Sequence, residues 1–346
     1  MRGHEDIRVM KTSQNGDSPR FETVMTLGPA SADLEVVKRL ARTAGRFRLN
    51  AAHLATGELR GWLVRLARLF GDSKDPPPIV IDLQGAKMRI GKYPSVAGLP
   101  ERVTLSDVAT SDAVGVIPVP HQDLFESVSV GETLTLNDGR VRLEIETVAA
   151  HRLEARVILD GPLSSFKGVN RSVHPIPWHG FCDADLERIS EARPFPFVQF
   201  AFSFVHTGAE ATLLRARTDA RLVAKIERPE AMEHLDAISR QFDEVWFCRG
   251  DLAEQAGLSR LGALQHRMER AIPRFRCPVF LAGQVLEHMS LFPQPTRSEA
   301  VHLYEVTQRG WSGIVLSDET AIGRCVIEVA DFLDSFFSEI ESIDEL

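Results

Sequence analysis

The sequence predicts an α/β protein, a (β/α)8 TIM barrel with a small all-β domain inserted after the third strand. Eight short apolar runs alternate with amphipathic segments, a pattern typical of parallel strands covered by helices on both faces. Between the third and fourth runs, short segments of alternating polarity interrupt this rhythm and predict antiparallel β-structure. Eight parallel strands with intervening helices close most naturally into a barrel.

The predicted barrel strands are apolar runs that end in polar residues. They are FETVMTLG, RFRLNAA, IVIDLQG, QFAFSFV, RLVAKIE, EVWFCRG, PVFLAGQ and GIVLSDE. Apolar residues at helical spacing start at Leu34 after the first run and at Leu59 after the second. Ser31 or Asp33 can cap the first of these helices. The last helix is predicted over residues 326–340.

The change of pattern also predicts domain boundaries. The expected parts are a flexible arm over residues 1–20, the barrel over 21–91 and 171–346, and the β insert over 92–170. Within the insert, Asn137, Asp138 and Gly139 have the turn chemistry that joins two antiparallel strands.

Composition narrows the possible partners and compartment. The 346 residues are 44% hydrophobic and carry a net charge of -8, so we expect a globular protein that does not bind nucleic acid. No apolar run reaches the roughly 18 residues of a membrane span, and no membrane partner is expected. The four cysteines form no C-x-x-C pair, which favours reduced thiols in a cytoplasmic protein.

The stretch KIERPEA contains the strongest chemical signal. Lys225 and Glu227 stand two residues apart at the end of an apolar run, so on a strand their side chains point the same way. The next run ends at Arg249, Gly250 and Asp251, which adds a second carboxylate at a strand's C-terminal end. Two such carboxylates could hold one hard cation beside the ammonium. The alternative for the first pair is a surface salt bridge.

Polar and charged residues recur at the same end of most of the predicted strands. They are Arg48, Asn50, Asp82, Lys225, Glu227, Asp251, Gln284, Ser317 and Glu319. Barrel active sites draw their residues from the ends of several strands. The residues alone therefore indicate metal-assisted chemistry on a small phosphate or carboxylate.

Nine segments in this order resemble the pyruvate kinase family. They are TLGPAS, RLNAAH, DLQGAKMRIG, LNDG, KGVN, KIERPEA, RGDL, PTRSEA and LSDETA. The resemblance runs from Phe21 to Asp334, with the β insert in the family's place. It implies phosphoryl transfer between phosphoenolpyruvate and ADP, giving pyruvate and ATP, with Mg²⁺ or Mn²⁺ as cofactor.

The resemblance also implies roles for single residues. Glu227 and Asp251 would ligate the metal, and Lys225 would stabilise the phosphoryl group in flight. Arg48 would contact the phosphoryl oxygens. Ser317 stands in register with the family's L-S-G-E-T-A segment and joins this catalytic set.

Further positions would bind nucleotide and substrate. The resemblance assigns Arg89 and Lys167 to the nucleotide phosphates, with His53 and Asn50 nearby. The amides around Gly250 and Asp251 would receive the substrate carboxylate.

Two departures from the family concern its potassium ion. Ala52 replaces a serine that helps to ligate the ion, and Lys87 replaces the glutamate that accompanies it. We expect no K⁺ requirement, because the ammonium of Lys87 can take the ion's place with Asp82 and Asn50 facing it. The alternative is drift in an inactive copy.

A third departure concerns the enolate. Gly283 replaces a threonine beside the substrate's methylene group, which could slow or redirect enolate protonation and admit a substrate larger than pyruvate. Two alternatives therefore stay open. One is aldol cleavage, condensation or decarboxylation of a related 2-oxo acid through a metal-stabilised enolate. The other is a non-catalytic metabolite-binding relative.

The family's C-terminal domain is expected to be missing. Control by a sugar phosphate at the site in that domain is therefore not expected. The segment from His302 to Glu305 also differs from the family's helix at the subunit contact. A homo-oligomer remains possible.

Overall fold

The computed structural model describes residues 21–54, 57–71, 73, 76–85, 87–137, 139–171 and 180–344. The strands are β1 (Glu22–Leu27), β2 (Arg46–Asn50), β3 (Ile79–Leu83), β4 (Met88–Arg89), β5 (Arg102–Ser106), β6 (Val116–Pro118), β7 (Thr133–Leu136), β8 (Val141–Ala149), β9 (Arg152–Leu159), β10 (Gly168–Arg171), β11 (Val198–Phe202), β12 (Leu222–Ile226), β13 (Glu244–Cys248), β14 (Val279–Ala282) and β15 (Gly313–Leu316). The helices are α1 (Leu34–Leu40), α2 (Glu58–Leu69), α3 (Gln122–Ser127), α4 (Asp183–Ala192), α5 (Glu210–Arg215), α6 (Leu235–Gln241), α7 (Arg249–Ala256), α8 (Leu258–Ala271), α9 (Arg297–Gln308), α10 (Asp318–Ala321) and α11 (Val326–Asp344). The predicted N-terminal arm lies outside the described residues.

Eight strands close into a parallel barrel in the order β1-β15-β14-β13-β12-β11-β3-β2. Each apolar run of the sequence contributes one strand, so the predicted fold class is confirmed. The pairing of β1 with β15, in which Val24 lies opposite Val315, closes the ring. The carboxyl ends of all eight strands therefore meet at one rim.

Side chains of each barrel strand alternate between two buried faces. On β12, Leu222 and Ala224 pack against the outer helices, whereas Val223 lies with Trp246 and Phe280 in the barrel interior. Burial of both faces explains why most residues in these runs are apolar. The same alternation directs Lys225, two residues beyond Val223, into the barrel near the rim.

The helix α2 shows how an outer helix buries one apolar face. On α2, Leu59, Trp62, Leu63 and Leu66 are buried at helical spacing. The helix α9 starts with a capping box, in which the Thr296 hydroxyl accepts from the Glu299 amide and the Glu299 carboxylate accepts from the Thr296 amide.

The insert is a seven-stranded sheet in the order β4-β10-β7-β8-β9-β5-β6, with its own apolar core. The strands that come first and last along the chain in this sheet, β4 and β10, are paired antiparallel, with Arg89 opposite Gly168. This sheet reaches beyond the predicted range 92–170 at both ends, because two short segments beside the barrel join it. No helix among the described residues combines the length and apolarity needed to cross a membrane.

Candidate active site

Three charged side chains, carried by β2, β3 and β12, meet at the rim of the barrel. Asp82, on β3, is 2% exposed and accepts hydrogen bonds from Arg48 Nη2 at 2.5 Å and from Lys225 Nζ at 3.0 Å. The Ser203 hydroxyl donates to the same carboxylate at 3.2 Å. Burial alone would raise the pKa of Asp82, but the cations of Lys225 and Arg48 outweigh it and lower the pKa to about 2. The carboxylate is therefore ionised at neutral pH.

The predicted pair of Lys225 and Glu227 lies inside the barrel, where Lys225 Nζ is 2.9 Å from Glu227 Oε1. Glu227 is 1% exposed, and its Oε2 accepts from the Phe204 amide at 2.8 Å. Burial would lower the pKa of Lys225, yet Asp82 and Glu227 raise it, so the ammonium keeps its proton. The pair is thus no surface salt bridge, because both side chains are almost fully enclosed.

Asp251, in the first turn of α7, brings a second acidic side chain close to Glu227. Burial raises the pKa of Glu227, and the nearby Asp251 raises it further. Burial would also raise the pKa of Asp251, but the ammonium of Lys87 reverses this and lowers it. Carboxylates this close interact strongly, and a cation between them relieves their repulsion.

Lys87 has a different partner from the one expected. We predicted that Asp82 and Asn50 would face its ammonium, whereas Lys87 Nζ bonds Asp251 Oδ1 at 2.5 Å. That prediction was wrong, because Arg48 and Lys225 already bind both oxygens of Asp82. Lys87 follows the end of β3, on the segment that leads into the insert. From there its ammonium bonds the Asp251 carboxylate instead.

Formal charges in this cluster balance. The carboxylates are Asp82, Glu227 and Asp251, and the cations are Arg48, Lys225 and Lys87. A poorly solvated site tolerates charges only when they are paired, and each of these six side chains takes part in an ion pair.

Loop geometry after β14 brings Gly283 beside the N-terminus of α7. A Cβ at Gly283 would lie 3.4 Å from the Gly250 amide nitrogen, and Gly283 has φ +89°, which few other residues adopt. A Cβ at Gly250 would meet no atom within 4 Å. Amides in the first helical turn lack partners within the helix, so this open corner suits an anion.

Arg249 holds that loop in position. Its Nε donates to the Gly283 carbonyl at 2.8 Å and its Nη2 to the Gln284 carbonyl at 2.7 Å. Burial lowers the pKa of Arg249 to about 10. These bonds stabilise the positive φ angles of Gly283 and Gln284, two successive residues that lie next to the amides at the start of α7.

Two of the expected nucleotide residues lie side by side in the insert. Arg89 donates from Nη1 to the Phe166 carbonyl at 2.8 Å, and the Lys167 carbonyl accepts from the Ile90 amide at 2.9 Å. The β4–β10 pairing produces this proximity. Their binding role stays a prediction.

The remaining predicted residues border the cluster. Ser317 Oγ lies 3.4 Å from Arg48 Nη1, and Asn50 stands opposite Asp82 in the sheet register. His53 ends a short 3-10 helix, Ala51–His53, and its side chain lies outside the described residues.

Sequence reasoning missed three residues that shape the site. Ser203 and Phe204 follow β11, and Lys225 Nζ donates to Ser203 Oγ at 2.9 Å. Both lie within the predicted run QFAFSFV, and their place near the end of a predicted strand was a usable signal. Asp185, on α4, accepts from the amides of Gln84 and Gly85 at 2.9 Å each, and burial raises its pKa to about 6. No sequence signal links Asp185 to a loop a hundred residues earlier.

A closed parallel barrel with buried acids and bases at the carboxyl ends of its strands defines a (β/α)8 barrel of the enzyme type. The family description "Pyruvate kinase, barrel domain" matches residues 18–329. The chain belongs to the pyruvate kinase family, and this membership identifies it as a phosphotransferase-type enzyme.

Known relatives cover almost the whole chain. It is 30% identical over 331 residues to a pyruvate kinase of Methylorubrum extorquens, a match covering 94% of this chain and 69% of that protein. It is 28% identical over 338 residues to a pyruvate kinase of Thermococcus litoralis, with 95% and 71% covered. A solved pyruvate kinase structure from Pyrobaculum aerophilum has the same fold, with a TM-score of 0.79 at 23% identity, over 91% of this chain and 72% of that one.

Proposed function

We propose that the chain catalyses divalent-metal-dependent phosphoryl transfer between phosphoenolpyruvate and ADP, giving pyruvate and ATP. The observation that carries the proposal is the buried cluster in which Lys225, Glu227 and Asp251 converge at the barrel rim. Phosphoryl transfer needs positioned positive charge and a metal more than it needs covalent help from the protein.

Glu227 and Asp251 fit Mg²⁺ or Mn²⁺ by their chemistry. Glu227 is buried and the Asp251 side chain is 15% exposed. Burial raises the pKa of Glu227, and the nearby Asp251 raises it further. Hard oxygen donors suit these metals, and Mg²⁺ commonly takes one or two carboxylates and completes its shell with water and substrate phosphates. The described residues contain no group of three or more acidic, histidine or cysteine side chains arranged for a metal. When bound, the metal would polarise the substrate oxygens and neutralise charge during transfer.

Around that position, the protein's own residues bind and orient the substrates. The ammonium of Lys225, kept charged by two carboxylates, would stabilise the phosphoryl group, and Arg48 would hold its oxygens. The Gly250 and Asp251 amides at the start of α7 would receive the substrate carboxylate. Arg89 and Lys167 in the insert would bind the nucleotide phosphates, so closure of the insert would exclude water.

Gly283 supports a second candidate, enolate chemistry on a larger 2-oxo acid. This residue offers no hydroxyl beside the substrate's methylene position, and the corner next to it is open. Such a reaction would use the Glu227 and Asp251 carboxylates and would not need Arg89 and Lys167, the residues proposed to bind the nucleotide.

A direct assay separates these candidates. Purified protein receives phosphoenolpyruvate, Mg²⁺ and ADP in potassium-free buffer, and both ATP and pyruvate are measured. The proposal expects equal amounts of the two products. Absence of ATP from protein that still binds oxalate with Mg²⁺ would refute it and favour enolate chemistry or a binding role.

Lys225→Met tests the central residue. We expect it to abolish transfer while Mn²⁺ binding persists, because the metal carboxylates are untouched. The matched control is Lys92→Met, which removes an exposed ammonium from the insert and should leave the rate unchanged. Turnover retained in Lys225→Met would remove Lys225 from its proposed role.

A further inference from the structure

The ammonium of Lys87 lies where a divalent metal would be drawn. Its Nζ is 2.5 Å from Asp251 Oδ1, and the two side chains are only 11% and 15% exposed. Asp251 is one of the two proposed metal ligands. A metal bound to that oxygen would face the lysine's positive charge at close range, in surroundings that screen it poorly.

Packing around the Lys87 side chain directs the ammonium to this position. Its Nζ lies 5.6 Å from the centre of the Phe204 ring. A Cβ at Gly168 would lie 3.1 Å from Lys87 Cε, so the bare glycine of β10 leaves the room that the lysine stem uses. The backbone amide of Lys87 is held by the Gln84 carbonyl at 3.1 Å. The contact with Asp251 is therefore built by three separate segments.

The other proposed ligand is paired differently. Glu227 has its ion pair with Lys225, which also binds Asp82 and whose side chain is 9% exposed. Lys87 comes from the segment entering the insert, with β4 immediately after it. Of these two ammonium groups, Lys87 is the one whose withdrawal leaves the barrel's Arg48–Asp82–Lys225 contacts intact.

We propose that Lys87 is a tethered cation that competes with the divalent metal for Asp251, so that the metal binds as the ammonium withdraws. The inference rests on the metal assignment in the proposed function. It has one direct consequence: Lys87 weakens metal binding to the substrate-free protein. A withdrawn ammonium gains a new partner when an anionic substrate arrives, so metal and substrate should bind more tightly together than separately.

Mn²⁺ binding to the metal-stripped full chain tests this. The probe is Mn²⁺ alone, titrated by the loss of its free-ion electron paramagnetic resonance signal. Removing the competing charge in Lys87→Gln should tighten Mn²⁺ binding by about tenfold or more, since a like charge beside a poorly solvated site is strongly unfavourable. Lys87→Arg keeps the charge and should stay within about twofold of the wild type.

Two further variants complete the experiment. Lys92→Gln removes an exposed ammonium from the insert and should leave the affinity unchanged, whereas Asp251→Asn should abolish tight binding. Lys87→Met serves if Lys87→Gln does not fold, as judged by circular dichroism. Equal or weaker binding in the neutral variants, with the Asp251 dependence intact, would overturn the competition while the proposed function stands. Failure of every form, wild type included, to bind Mn²⁺ would overturn both.

Discussion

Replacing Asp82 by asparagine should destabilise the protein more than any other single change at the rim, because two buried cations share this carboxylate. Arg48 donates to Oδ2 from Nε at 2.9 Å and from Nη2 at 2.5 Å, and Lys225 donates to both oxygens at 3.0 and 3.1 Å. Asparagine keeps the shape of the side chain but leaves both cations without a balancing charge.

The magnitude follows from burial. Removing one partner of a buried ion pair costs about 3–5 kcal/mol. At an unfolding entropy of about 2.1 cal/mol/K per residue, the 346 residues give about 0.7 kcal/mol/K, so we expect Tm to fall by about 4–7 °C. Differential scanning calorimetry at pH 7 measures this shift. The control is Asp331→Asn, an exposed carboxylate paired with Arg39, which should change stability by less than about 0.5 kcal/mol.

The pH dependence adds a sharper check. The pKa of Asp82 falls from 3.8 to about 2 on folding, so the folded state binds fewer protons and the carboxylate's contribution is fully present above about pH 5. This contribution, about 2 kcal/mol, is lost as the pH falls toward 2. The Tm difference between wild type and Asp82→Asn should therefore shrink between pH 5 and pH 3. A difference that is constant with pH, or absent at pH 7, would refute the reasoning.

Two other predictions concern the backbone at Gly85 and the requirement for K⁺. Gly85→Ala should destabilise the protein by about 2 kcal/mol or more, because Gly85 has φ +58° and a Cβ there would lie 2.4 Å from the Ser203 carbonyl oxygen. Urea unfolding measures this loss, and a variant as stable as the wild type would contradict the prediction. Turnover should not require K⁺, since Ala52 offers no oxygen ligand and both oxygens of Asp82 already bind cations. Rates in potassium chloride and in tetramethylammonium chloride at equal ionic strength should agree, and strong activation by K⁺ would exclude this expectation.

Local sequence patterns were sufficient to predict the barrel because its strands are buried on both faces. Continuous apolar runs such as Val279–Ala282 have few other uses in a globular protein, and their alternation with helices leaves a closed parallel sheet as the simplest arrangement. The two-residue spacing of Lys225 and Glu227 likewise predicted a shared direction, which their 2.9 Å ion pair confirms. The insert was recognisable because antiparallel strands with tight turns have a different period.

The sequence by itself determined the strands, the order in which they occur and the polar groups that end them, because these follow from periodicity within a few residues. Only the tertiary structure decided which charges pair. Asp82 binds Arg48 and Lys225, so Lys87 bonds Asp251. Asp185 accepts hydrogen bonds from the amides of Gln84 and Gly85. Such pairings depend on distances between segments far apart in the chain and on competition for a limited number of carboxylate oxygens. The local pattern of residues predicts neither these distances nor the outcome of this competition.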